Sequence, residues 1–137
     1  MAVLAPAVIV FEKAPRWEAE LKRRLAGRHL LVRPCRTLKD VLNLAGQAAG
    51  SIVVIDFAAG AAEGLRILEG LFRHRLAVWP IVVGTPETDD LEWSARELGA
   101  AGYVGDAMSG EDLARICRRA LALGASGSSL QPLAPPA

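Results

Sequence analysis

The chain has 137 residues, of which 52% are hydrophobic and 23% charged, and its formal net charge is +1. That length suits one domain and that balance suits a packed core, which excludes a disordered chain and a miniature fold dependent on disulfides or metal. A charge so near zero also excludes nucleic-acid binding that rests on bulk positive charge.

Residues 7–11, Ala-Val-Ile-Val-Phe, form a β-branched run closed by Glu12, which predicts a first strand. Trp17, Leu21 and Leu25 then recur at steps of four among charged residues, the pattern of a helix that stops at Gly27. Residues 29–33 predict a second strand, ended by Pro34. Thr37 and Asp40 have capping-box spacing ahead of a helix with Leu38, Val41, Leu42 and Ala45 on one face. Residues 51–57 are the most hydrophobic strand and carry Asp56 near its end. Leu65, Leu68 and Phe72 mark the third helix face. Residues 80–84 predict a fourth strand opening on Pro80, a position that tolerates proline. Leu91, Ala95 and Leu98 line the fourth helix up to Gly99, and Trp93 falls off that stripe as an exposed aromatic. Residues 101–104 are a short fifth strand. Ser109 and Asp112 repeat the capping-box spacing before Leu113, Ile116, Cys117, Ala120 and Leu121, which give a fifth helix ending at Gly124. Residues 125–137 are Ser, Gly, Pro and Ala with two leucines, a flexible tail behind a domain of residues 1–124.

Cys35 and Cys117 lack metal-ligand spacing and read as small buried hydrophobes of a reduced, cytoplasmic protein. The apolar opening, residues 1–11, is too short to span a bilayer and has no basic residue ahead of it, so no membrane partner is expected. Arg73, His74 and Arg75, and Arg115, Arg118 and Arg119, read as solvated helix faces. No Gly-rich phosphate loop and no nucleophile–base pattern appears, which argues against an enzyme.

Strands apolar on both faces and alternating with helices predict an α/β fold: a flavodoxin-like, doubly wound, five-stranded parallel sheet of order 2-1-3-4-5 with helices on both faces. Ligands of such sheets bind at the carboxyl ends of the strands. The residues there are Phe11 and Glu12, Asp56, Thr85, and the segment after Tyr103.

These strand-end residues carry a resemblance. Ser-Ile-Val-Val-Ile-Asp56, with Gly64 eight residues on, Pro80-Ile-Val-Val-Gly-Thr85, and Leu98-Gly-Ala-Ala-Gly-Tyr103-Val stand in an order similar to that of bacterial response-regulator receiver domains. The resemblance covers residues 6–123. It implies that Asp56 is the phospho-acceptor position, that Thr85 and Tyr103 are the switch pair, and that Glu12 with Asp56 would hold a weak Mg²⁺. Phosphoryl transfer to a carboxylate needs cations around the transferring oxygens.

Two positions depart from the family pattern. Phe11 stands where the first acid of a pair belongs, and Asp106-Ala107 stands where the family has Lys-Pro. At about 4 Å and an effective dielectric near 20, a unit charge pair is worth about 4 kcal/mol, so Asp106 turns attraction for a phosphoryl group into repulsion. Gly60 replaces the proline after Asp56 and should loosen that loop. The sequence therefore resembles a degenerate, pseudo-receiver type. The expected function is a signalling adaptor that binds a protein partner through the fourth helix, fifth strand and fifth helix, with Trp93 and Tyr103 as anchors and no dependence on phosphorylation. The alternatives are a working receiver phosphorylated on Asp56 by a histidine kinase with Mg²⁺, and a small flavodoxin-like enzyme or nucleotide binder. A homodimer stays open.

Overall fold

In the computed structural model, residues 4–28 and 30–125 are described. Strands β1 (Val8–Phe11), β2 (Val32–Cys35), β3 (Ile52–Asp56), β4 (Trp79–Gly84) and β5 (Gly102–Gly105) form one sheet of order 2-1-3-4-5. Every neighbouring pair is parallel. Helices α1 (Trp17–Arg24), α2 (Leu38–Gln47), α3 (Ala61–Arg73), α4 (Glu92–Glu97) and α5 (Gly110–Ala125) connect the strands.

The period of two along each strand divides the core. Val8, Val10, Ile52, Val54, Ile81 and Val83 face Trp17, Leu21 and Leu25 of the α1 region and Leu113, Cys117 and Ala120 of α5. Ile9, Phe11, Val53, Ile55 and Val82 face Val41 and Ala45 of α2, Ile67, Leu68 and Leu71 of α3, and Ala95 of α4. Both layers are buried, which explains why these strands read as continuous apolar runs. The buried Ser51 hydroxyl accepts the Ala7 N–H at 2.9 Å and donates to the Ala48 carbonyl at 2.6 Å, locking the start of β3 to β1. Arg24 and Arg118 converge on Glu111 at 3.1 and 2.8 Å and tie α1 to α5.

The N-cap half of each expected capping box forms: Thr37 accepts the Asp40 N–H and Ser109 accepts the Asp112 N–H, each at 3.1 Å. Cys35 and Cys117 are buried free thiols.

Several expectations need correction: β3 is Ile52–Asp56 and β5 Gly102–Gly105, each within two residues of the expected bounds, and α1 ends at Arg24 with Gly27 inside the 3₁₀ turn Ala26–Arg28. The second strand is Val32–Cys35 and runs through Pro34 instead of ending before it. It is the sheet's edge, where a residue without an N–H leaves no ladder partner unmet. Of the expected range, His29 lies outside the described residues. Phe72 is not in the core: α3 buries Gly64, Ile67, Leu68 and Leu71 and leaves Phe72 64% exposed. That stripe follows the 3-4-7 rule, and Phe72 stands one position beyond it. Trp79, not Pro80, begins β4, and α5 continues past Gly124 to Ala125. Of the expected tail, residues 126–137 lie outside the described residues.

Candidate functional site

The strand registers set the site. Phe11 pairs with Ile55, so Glu12 and Asp56 leave adjacent strands side by side. Gly84 pairs with Gly105, so Thr85 and Asp106 do the same one strand further on. All four stand at the carboxyl edge.

Asp56 is 8% exposed. Its Oδ1 accepts the Ala58 N–H at 3.1 Å and caps the short 3₁₀ turn Phe57–Ala59. Burial pushes its carboxyl above the usual aspartate range. The Ala58 N–H works the other way, the Glu12 and Asp106 carboxylates add to the rise, and the Arg16 guanidinium opposes it. Asp106 therefore bears on Asp56 as a like charge, the smallest of these influences.

Glu12, 6% exposed, accepts three backbone N–H groups. Oε1 takes those of Arg16 and Trp17 at 3.1 and 2.9 Å, and Oε2 takes that of Glu18 at 3.0 Å. These are orphan donors at the start of α1, which has no other side-chain cap. Both oxygens are thus committed to the helix, an arrangement that fits a cation poorly. Among the described residues no group of three or more His, Cys, Asp or Glu could hold a metal ion. Phe11 is fully buried with Ile9, Cys35 and Val41 under α2 and α3, so its ring points away from the carboxyl edge into the core.

Arg16 is a site residue that sequence reasoning missed. Its Nη2 donates to the Asp106 carbonyl at 2.6 Å and lies 3.5 Å from that of Met108, and its guanidinium sits 3.9 Å over the Trp17 ring. A cation from the loop before α1 thus reaches the loop after β5, where the resemblance implied a lysine. No local pattern marks it, because only the fold brings residues 16 and 106 together.

Tyr103 on β5 is turned inward. Its hydroxyl donates to the Thr88 carbonyl at 2.8 Å and lies 3.1 Å from the Thr88 hydroxyl. The ring meets Phe57 edge-on, with centroids 6.1 Å apart. It occupies the space over Gly84, where a Cβ would come within 2.1 Å of the phenol oxygen. Phe57 is seated likewise, since a Cβ on Gly64 would stand 2.6 Å from its ring. Thr85 bonds through its N–H to the Thr88 hydroxyl at 2.8 Å, and its own hydroxyl lies 3.5 Å from the same atom. Thr88 therefore joins Thr85 to Tyr103. Gly60 has φ of +134°, so glycine at that position serves a backbone that side chains disfavour. Trp93 is 72% exposed on α4, as its place off the apolar stripe implies.

The fold that carries these residues has counterparts of known structure. The Francisella response regulator 1452 receiver domain superposes with a TM-score of 0.72, at 15% identity over 87% of this chain and 98% of that one. The receiver domain of the TMAO respiratory system response regulator TorR gives 0.71, at 18% identity over 85% and 96%. The fold is that of a response-regulator receiver. A Burkholderia pseudomallei response regulator with a phosphorylated aspartic acid and a calcium ion shares this receiver fold at a TM-score of 0.65, with 20% identity over 90% of this chain and 73% of that one. No family model matches the sequence, and no curated protein matches it. No helix among the described residues of this receiver fold is long and apolar enough to cross a membrane.

Proposed function

We propose that the protein is a signalling adaptor, a binding module and not an enzyme, that engages a protein partner through α4, β5 and α5 without a phosphoryl group on Asp56. The observation that supports this reading is the seat of Tyr103. The aromatic lies inward over Gly84, bonded to Thr88 and packed on Phe57. In the receiver domains this chain resembles, the inward turn of this aromatic follows phosphorylation; here Thr88 and Phe57 supply side-chain contacts that hold it. The commitment of Glu12 to α1 and the like charge of Asp106 point the same way.

Trp93 is the proposed anchor, since exposed tryptophan dominates binding energy where a partner covers it. Pull-down of native partners with wild type, Asp56→Asn, Gly84→Ala and Trp93→Ala tests the reading. Asp56→Asn should keep the partner, whereas Trp93→Ala and Gly84→Ala should lose it while remaining folded by circular dichroism. Loss of the partner in Asp56→Asn would mean that the carboxylate controls the face.

One observation favours the second reading, a receiver phosphorylated on Asp56 by a histidine kinase. Arg16 already lowers the Asp56 pKa and lies at the β5–α5 loop, so it could stand in for the missing lysine. Intact mass after incubation with acetyl phosphate and Mg²⁺ separates the two readings.

A further inference from the structure

At the opposite, amino edge of the sheet lies an open groove of about 500 Å³. It runs between the end of α3, the start of β4 and the turn after α4, and is lined by Leu71, Phe72, Arg75, Leu76, Val78 and Leu98 among others. We propose that this groove docks an acidic, amphipathic segment of a partner protein, with Phe72 and Arg75 as its anchors.

Phe72 forms a wall of the groove with 64% of its surface exposed, which burial in the fold does not account for. Its position is shaped from the other side by Gly99. That residue has φ of +98°, and a Cβ there would come within 3.2 Å of the Phe72 ring.

Arg75 supplies the charge. Helix α3 ends in a Schellman motif: the Leu76 N–H donates to the Leu71 carbonyl and the Arg75 N–H to the Phe72 carbonyl, both at 3.1 Å. The residue at the Arg75 position must be left-handed and is most often glycine. Arg75 has φ of +52° and is the one non-glycine residue with positive φ among the described residues. The chain thus holds an arginine where its own backbone favours glycine, and that arginine lines the groove. Its neighbour Arg73 is neutralised by Glu69, whereas Arg75 makes no ion pair among the described residues. An apolar floor beside an uncompensated cation complements a helix with leucine or phenylalanine at i, i+3, i+4 spacing and carboxylates alongside. The groove is remote from Tyr103, so this proposal stands or falls apart from the reading of the carboxyl edge.

The test is selection of a random peptide display library on the wild-type protein, with counter-selection on Phe72→Ala. Enriched peptides should pair aromatic or aliphatic residues at helical spacing with Asp or Glu. Fluorescence anisotropy with one such peptide should show binding weakened about 10- to 30-fold by Phe72→Ala. Arg75→Gly should weaken it too, while its melting temperature equals or exceeds that of wild type. A purely structural Arg75 would instead give a lower melting temperature or unchanged affinity. The proposal is overturned if no enriched peptide is sensitive to Phe72→Ala, or if the enriched peptides are neutral or basic. It is also overturned by dimerisation in sedimentation, or adhesion to anionic vesicles, that Phe72→Ala abolishes, since a second copy or a membrane would then be the occupant.

Discussion

Asp56 ionises against its surroundings, and the sign of that effect is measurable. Its folded pKa lies above the usual 3.8, chiefly through burial. Stability from the neutral form is therefore fully present below pH 3.8 and is lost as pH rises through the folded value. Asp56→Asn removes the ionisation and keeps an acceptor for the Ala58 N–H. Its melting temperature should exceed that of wild type at pH 7, and the difference should vanish in acid. Arg16→Ala should push the Asp56 midpoint in a carboxyl NMR titration further up, because the guanidinium is the charged group that holds it down. Glu12 has a structural role, its carboxylate seated on three backbone N–H groups at the start of α1. Glu12→Ala should cost about 1–2 kcal/mol in urea unfolding, the range of a lost N-terminal cap. Calorimetric titration of wild type with Mg²⁺ should show no micromolar affinity, since Glu12 has little left to offer a hard cation.

Among the elements, the contact between β4, β5 and the turn Pro86–Leu91 carries the functional reading, and its weak point is Gly84. Tyr103 is the single tyrosine of the sequence, so tyrosinate absorbance reports on it alone. Burial raises its pKa above the usual 10.0, with Asp89, Glu92 and Asp90 adding to the rise and Thr88 working against it. Gly84→Ala must displace the phenol, and the midpoint should fall back toward 10.0. Tyr103→Phe should lose about 0.5–1.5 kcal/mol of stability with the bond to Thr88. At this scale the sequence was only partly legible. The capping pairs Thr37–Asp40 and Ser109–Asp112 are local and could be read directly. Pro34 misled because the edge position of β2 is a property of the sheet, not of residues 29–35. Phe72 misled because spacing alone cannot tell the last core position of a helix from the first exposed one.

For the whole molecule, the 2-1-3-4-5 order followed from continuous apolar strands alternating with helices, a pattern with few folded solutions. The same logic brought Glu12, Asp56, Thr85 and Asp106 to one edge, because register carries strand-end residues together. Their partners were illegible. The bonds from Arg16 to the loop after β5 and from Tyr103 to Thr88 join residues separated by 90 and 15 positions, and nothing in the local sequence encodes them. Those contacts are what the proposal of a face set by side chains, and not by phosphate, rests on. The most direct test combines intact mass with amide NMR of the α4–β5 region, residues 88–105, before and after acetyl phosphate and Mg²⁺. No phosphoryl group should be added and the amides should stay unmoved, with Gly84→Ala shifting the same signals on its own. A gain of one phosphoryl group that Asp56→Asn prevents, accompanied by shifts across residues 88–105, would contradict it.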